Sequence, residues 1–215
     1  MNKRLTQFLC NALAFALFAC SSAWAQVPCE ITDPVGDFLG FAGGTINSNP
    51  CQGPGSGCEP WLDIVSASAL KQGGSFHFSM TVAEAVPPAP PLRPGAKRDI
   101  WAWNLDTDPT TSPKGFPFDP STVAAPEFIV RVIWNGGSFS AVLIDRRPLL
   151  TGGEASVVPV PFEVNGTQVS AVVDQSLLGN VSSLAYRAAT QSYTAYDETG
   201  GFLAEDRTDR AQCAW

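Results

Sequence analysis

Between Ser75 and Val82 the chain alternates strictly, with Phe76, Phe78, Met80 and Val82 on one parity and Ser75, His77, Ser79 and Thr81 on the other. A period of two puts one parity in a core and the other in water, so this segment predicts a half-buried strand. Gly73-Gly74 marks a turn before it, and Asp63 to Leu70 is its hairpin partner. Arg98 to Leu105 predicts an aromatic-rich strand. Phe128, Val130, Val132 and Trp134 share one face of another, which turns at Asn135-Gly136-Gly137 and returns over Ser138 to Asp145. Ala155 to Val164 and Thr167 to Val173 flank Asn165-Gly166, the strongest two-residue hairpin signal. Gln175 to Leu178 reads as one helical turn and Leu184 to Thr194 as a late strand. The run Val86 to Gly95 carries prolines that interior ladder positions exclude, so it predicts an extended crossover. Sustained helical periodicity and internal repeats are lacking. About eight or nine short strands punctuated by turns predict an all-β, two-sheet antiparallel sandwich.

The first 25 residues carry a different pattern. Lys3 and Arg4 are followed by the apolar run Phe8 to Ala19 and by Ala23-Trp24-Ala25, a small-x-small cleavage site before Gln26. We therefore read 1–25 as a signal peptide and 26–215 as a single domain, secreted or periplasmic. Leu17-Phe18-Ala19-Cys20 also resembles a bacterial lipobox, and the alternative is a lipoprotein anchored at Cys20. The apolar run is too short for a permanent bilayer span, and no later segment reaches that length. The formal net charge is −7, and loss of Lys3 and Arg4 makes the mature chain more acidic still. Without a basic cluster it has no means of displacing counterions from phosphates, so nucleic acid is not an expected partner.

Cleavage after Ala25 leaves Cys29, Cys51, Cys58 and Cys213, an even number that suits disulfides in an oxidising compartment. Four cysteines allow three pairings. The favoured one joins Cys51 to Cys58 around the Gly- and Pro-rich loop 52–57, and Cys29 to Cys213 across the chain ends. Zinc is the alternative, but the spacings are wrong and His77 is the sole imidazole.

Two acidic stations carry the candidate chemistry: Asp33-Pro34-Val35-Gly36-Asp37, and Leu105-Asp106-Thr107-Asp108. Each sets two carboxylates beside a turn, as hard oxygen-seeking cations require. The second is no EF-hand loop, since Pro117 stands where the closing glutamate belongs. Asp also begins turns through bonds to its own backbone, and that reading stays open for each residue. If Cys29 and Cys213 are bonded, Asp206 or Asp209 comes near Asp33 and Asp37. Carboxylates so gathered repel unless a cation neutralises them, or unless Arg207 or Arg210 does.

Asp-Pro-x-Gly-Asp, Asp63-Ile64 opening a strand, Leu-Asp-Thr-Asp and an acidic C-terminus together resemble an exported bacterial β-sandwich of the DOMON-like and family 9 carbohydrate-binding-module-like group. The resemblance spans most of residues 30–212. It implies a jelly-roll-like sandwich with a structural calcium near the N-terminal station. By that similarity Asp33, Asp37 and Asp63 are calcium candidates, with Asp206 or Asp209 closing the site. The cysteine loop and the proline-rich crossover depart from the pattern.

Sugar binding needs flat aromatic platforms beside hydrogen-bonding groups, and the candidates are Trp61, Trp101, Trp103 and Trp134. Trp101 and Trp103 share a strand face; exposed, they would form a platform for polysaccharide or a cell-surface glycan. The same spacing also fills a sandwich core. Haem ligation by Met80 and His77 is excluded, because residues three apart in a strand point to opposite faces. A Ser-His-Asp triad would have to use His77, and no nucleophile elbow is present. The expectation is a secreted, non-catalytic sandwich with a structural calcium site and carbohydrate as the leading ligand class. The alternatives are a glycan-active hydrolase using paired carboxylates and a purely structural envelope protein.

Overall fold

The computed structural model describes residues 27–42, 45–47, 59–107, 126–195 and 202–215. Residues 1–25, the Cys51 to Cys58 loop and Asp108 lie outside them. In chain order the first strands are β1 (Cys29–Thr32), β2 (Leu39–Ala42), β3 (Thr45–Asn47), β4 (Ile64–Gln72) and β5 (Ser75–Val82). The middle of the chain contributes β6 (Arg98–Asp106), β7 (Phe128–Trp134), β8 (Phe139–Asp145), β9 (Ser156–Pro159) and β10 (Phe162–Asn165). The last are β11 (Gln168–Asp174), β12 (Ser183–Tyr193), β13 (Phe202–Arg207) and β14 (Ala211–Ala214).

They form two antiparallel sheets, an all-β sandwich. The five-stranded sheet runs β1-β4-β5-β11-β10. The nine-stranded sheet runs β3-β2-β13-β12-β6-β7-β8-β9, with β14 also on β12. The strand β12 pairs β14 over Ser183 to Tyr186 and β13 over Ala189 to Tyr193, so the chain end forms one broken edge along it.

The alternation in β5 holds: Phe76, Phe78, Met80 and Val82 are buried and their neighbours are half-buried. Gly73 and Gly74, both at positive φ, close the β4–β5 turn opposite the pair Gln72 and Ser75. The stretch from Ala155 to Val164 differs from expectation. It is two strands, β9 on the edge of the large sheet and β10 on the edge of the small one, parted at Val160-Pro161. Proline lacks the ladder donor, and both strands sit at edges where that loss is tolerated. The hairpin that follows pairs Asn165 with Gln168, so its turn residues are Gly166-Thr167, one position later than expected.

The apolar residues of both sheets meet in one core that includes Leu62, Phe76, Phe78, Trp101, Trp103, Val130 and Tyr186. Trp101 and Trp103 are 0% exposed. The Trp101 indole N–H donates to the Trp61 carbonyl at 2.9 Å, and Trp103 tilts against Phe78 with 6.1 Å between centroids. The expected sugar platform is therefore corrected: the shared face is the one turned into the sandwich. Ile100 and Ala102, on the other face of β6, are buried as well, in a second cluster with Ile129 and Tyr193.

Cys29 and Cys213 are bonded, their Cα atoms 5.7 Å apart. The bridge joins β1 of one sheet to β14 of the other, and the Tyr186 hydroxyl beside it lies 2.9 Å from the Cys29 carbonyl and 2.8 Å from that of Ala67. No helix among the described residues is long and apolar enough to cross a membrane.

Candidate cation site

Asp33 follows β1, and its backbone N–H donates to the Val65 carbonyl at 2.9 Å. Val65 sits where the β4–β5 register shifts between Ile64 and Ser66, an irregularity at the start of β4. Beyond Asp33 the chain reverses at Val35-Gly36, with Gly36 at φ +91. The Gly36 N–H donates to both carboxylate oxygens of Asp63, at 3.1 and 2.9 Å. Asp63 thus pins the turn from below, at the end of a 3-10 turn over Pro60–Leu62.

Asp206 arrives from the other sheet. It pairs with Thr190 of β12 and shares the inward parity of Trp101, so its side chain is 4% exposed. One oxygen accepts the Ile64 N–H at 2.6 Å and the other accepts the Arg207 N–H at 2.7 Å. The Thr190 hydroxyl, next to it, donates to the Leu62 carbonyl.

These elements gather Asp33, Asp37 and Asp206, with a carboxylate oxygen of each lying within 4.8 Å of the others. One oxygen of Asp33 is buried and has no hydrogen-bond partner. Burial, then the charges of Asp37, Asp209 and Asp63, push Asp33 up to about 7. Asp206 rises to about 8, first through burial and then through Asp33 and Asp37; the Ile64 and Arg207 amides oppose this. Burial raises Asp37. It also raises Asp63 against the pull of the Gly36 amide. Burial disfavours the anion at each carboxylate, and neighbouring carboxylates add to this at Asp33, Asp63 and Asp206.

The expected set is thus sorted by the fold. Asp33, Asp37 and Asp206 converge, Asp63 orients the turn, and Asp209 is exposed and acts on Asp33 through its charge. The two arginines that would have neutralised the group form ion pairs elsewhere, Arg207 with Glu205 and Arg210 with Asp106 at 2.7 Å. That second pair absorbs the other acidic station: Asp106 is buried against Arg210, and the Thr107 N–H donates to Glu127 at 2.8 Å.

Sequence reasoning missed a second polar group. Asp99, on β6, has the inward parity of Trp101 and is 1% exposed; it accepts the Ser192 hydroxyl at 2.6 Å, and the charges of Glu59 and Arg93 act on it in opposite directions. A charged residue two places before Trp101 in an aromatic strand was the available signal.

No protein-family model matches the chain, and a search of curated proteins finds no match.

Proposed function

We propose that this protein is an exported, non-catalytic β-sandwich in which Asp33, Asp37 and Asp206 bind a hard divalent cation, calcium, that ties the two sheets together. The observation that carries the reading is the convergence of three carboxylates from segments more than 160 residues apart in the chain, within 4.8 Å and with no basic partner drawing Asp33 or Asp206 down. An all-oxygen donor set of this charge suits calcium, which takes six to eight oxygens and accepts irregular geometry. Zinc would prefer nitrogen or sulfur. The resemblance of the acidic motifs to the DOMON-like group supports the same ion, and the inter-sheet disulfide suits export to an oxidising compartment. Burial of Trp101 and Trp103 removes the aromatic surface on which a glycan was expected, so no carbohydrate is assigned.

Thermal unfolding with calcium chloride and with excess chelator tests the reading, alongside calorimetric titration. A ligand bound only by the native state at 100 times its Kd adds about 2.7 kcal/mol. An unchanged midpoint together with a flat titration would sink the proposal.

A further inference from the structure

β9 and β10 end the large and the small sheet on the same side of the sandwich, joined only by Val160-Pro161. The Val160 N–H donates to the Ala141 carbonyl at 3.1 Å, and the Val172 N–H to that of Pro161 at 2.9 Å, which fixes the phase of both ladders. Antiparallel pairs alternate between bonded and unbonded, so Ser156 and Val158 turn their backbone groups toward β8, and Glu163 and Asn165 turn theirs toward β11. The backbone groups of Val157 and Pro159, and those of Phe162 and Val164, therefore point out of the sheets. Pro159 has no N–H to offer, and this blunts the β9 edge. The β10 edge is intact: Phe162 and Val164 each present an N–H and a C=O at strand spacing.

The side chains along this edge divide by parity. Phe162 and Val164 share the inward face of Ala171 and Val169, and Val158 shares that of Leu143. Val164 packs on the core, but Phe162 is 39% and Val158 38% exposed, so the apolar margin of the core is left partly uncovered here. Glu163 takes the outward face and is exposed, with the Asn165 amide nitrogen 3.4 Å from one of its oxygens. The chain has no Lys, Arg or His between Arg147 and Arg187, a stretch that contains β9, β10 and β11. The acids of that stretch, Glu154, Glu163 and Asp174, are all exposed.

We infer that the β10 edge is a docking site for an extended segment of a partner protein in which apolar and basic residues alternate, added to the small sheet as a further antiparallel strand. Its backbone exchanges hydrogen bonds with Phe162 and Val164, the mode by which sheet edges take up peptides. The residues opposite Phe162 and Val164 then face inward and cover the exposed apolar margin, and the residue between them lies outward, opposite Glu163. The acidic character of this side, unrelieved by any cation of β9 to β11, selects a basic residue there. A second copy of the chain does not fit. Pairing Phe162 with Val164 of the other copy, the register that matches the free groups, sets Glu163 directly against itself, and like charges so placed repel.

The probe is the peptide acetyl-Lys-Val-Lys-Val-Lys-amide, titrated into the full-length mature protein and followed by NMR at the backbone amides. The expected result is saturable shifts and slowed exchange at the Phe162 and Val164 amides, weakening as sodium chloride is added. Val164→Pro removes an outward N–H and no bond to β11, and should weaken binding about tenfold. Should that variant not fold, the same peptide N-methylated at both valines removes the partner donors instead, with the same loss expected. Glu163→Gln should weaken binding about threefold, and a peptide with glutamate in place of each lysine should not bind. Absence of shifts at Phe162 and Val164, equal binding of the N-methylated or the glutamate peptide, or a peptide-free dimer with those two amides already protected would each overturn the proposal.

Discussion

The Asp206 carboxylate accepts the Ile64 backbone N–H at 2.6 Å, and the two residues belong to opposite sheets of the sandwich. The bond satisfies the first amide of β4 and fixes Asp206 against the segment that Asp63 and Gly36 organise. A cation held by Asp206, Asp33 and Asp37 would act across the same joint as the Cys29–Cys213 bridge.

Replacing Asp206 with asparagine separates the two roles of that carboxylate. An amide oxygen can still accept from Ile64, but it brings no charge to a cation. Asp206→Asn is expected to abolish the calcium-dependent rise in melting temperature while leaving a cooperative transition in chelator. Parallel melts of both proteins with calcium and with chelator check this. A variant that keeps the full calcium response would remove Asp206 from the site.

The raised carboxylates set the pH dependence of the cation-free protein. Asp99, Asp33 and Asp206 stand at about 6, 7 and 8 in the folded state. Their ordinary value is near 4 in the unfolded chain. A folded value raised above the unfolded one means stability fully present below the unfolded value and lost as pH rises through the folded one. In chelator the urea midpoint should therefore fall steadily from pH 5 to pH 8.5. Saturating calcium should flatten the decline, because the cation competes with the protons at Asp33 and Asp206.

The fold was legible where one sheet face is wet, and less so where both are dry. In β5 the half-buried parity of Ser75, His77, Ser79 and Thr81 exposed the alternation directly. In β6 nearly every residue is buried, so the spacing of Trp101 and Trp103 revealed a shared face but not which side it meets. The run from Val157 to Phe162 has no polar break, which hid the passage from β9 on one sheet to β10 on the other. Prolines at Pro159 and Pro161 marked those edges in retrospect. β13 and β14 were not predicted as strands, because the charges from Glu205 to Arg210 read as an acidic group near the acidic station and interrupt any apolar alternation. Pairing to β12 turns Asp206 into the sandwich, and ion pairs accommodate Glu205 and Arg207. For the site, the N-terminal station was readable as a local motif, and the division of labour between Asp206, Asp63 and Asp209 needed the register of β13.

Trp103 provides a test of the corrected aromatic reading. It is wholly buried against Phe78, with its indole nitrogen 3.4 Å from the Ser79 carbonyl. Trp103→Ala should cost about 3–5 kcal/mol, the range for removing a large aromatic from a packed core. Urea unfolding of the native protein and the variant measures it. A loss below about 1 kcal/mol would contradict the burial.

Removing the Cys29–Cys213 bridge releases a constraint spanning 184 residues. The double variant Cys29→Ser/Cys213→Ser should lose about 2–5 kcal/mol, chiefly through the greater freedom of the unfolded chain. Because β1 leads directly into Asp33, calcium affinity should fall as well, and calorimetric titration separates this from the loss of stability. An unchanged affinity would show that the ladder of β1 on β4 alone positions the acidic turn.

Gly36 offers the most selective test of that turn. Its φ of +91 lies where side chains are strained, yet a Cβ there would meet nothing within 4 Å. The strain is therefore wholly in the backbone, and relieving it rotates the N–H away from Asp63 and shifts Asp37 relative to Asp33. Gly36→Ala should cost about 1 kcal/mol or somewhat more and should also weaken calcium binding. Gly73→Ala is the matched control. Gly73 has φ +57 and equally open surroundings, but it lies in the β4–β5 turn with no part in the acidic group. Both variants should lower the melting temperature in chelator by similar amounts, while only Gly36→Ala loses part of the calcium response. Equal calcium responses in the two would show that the conformation at Gly36 does not govern the site.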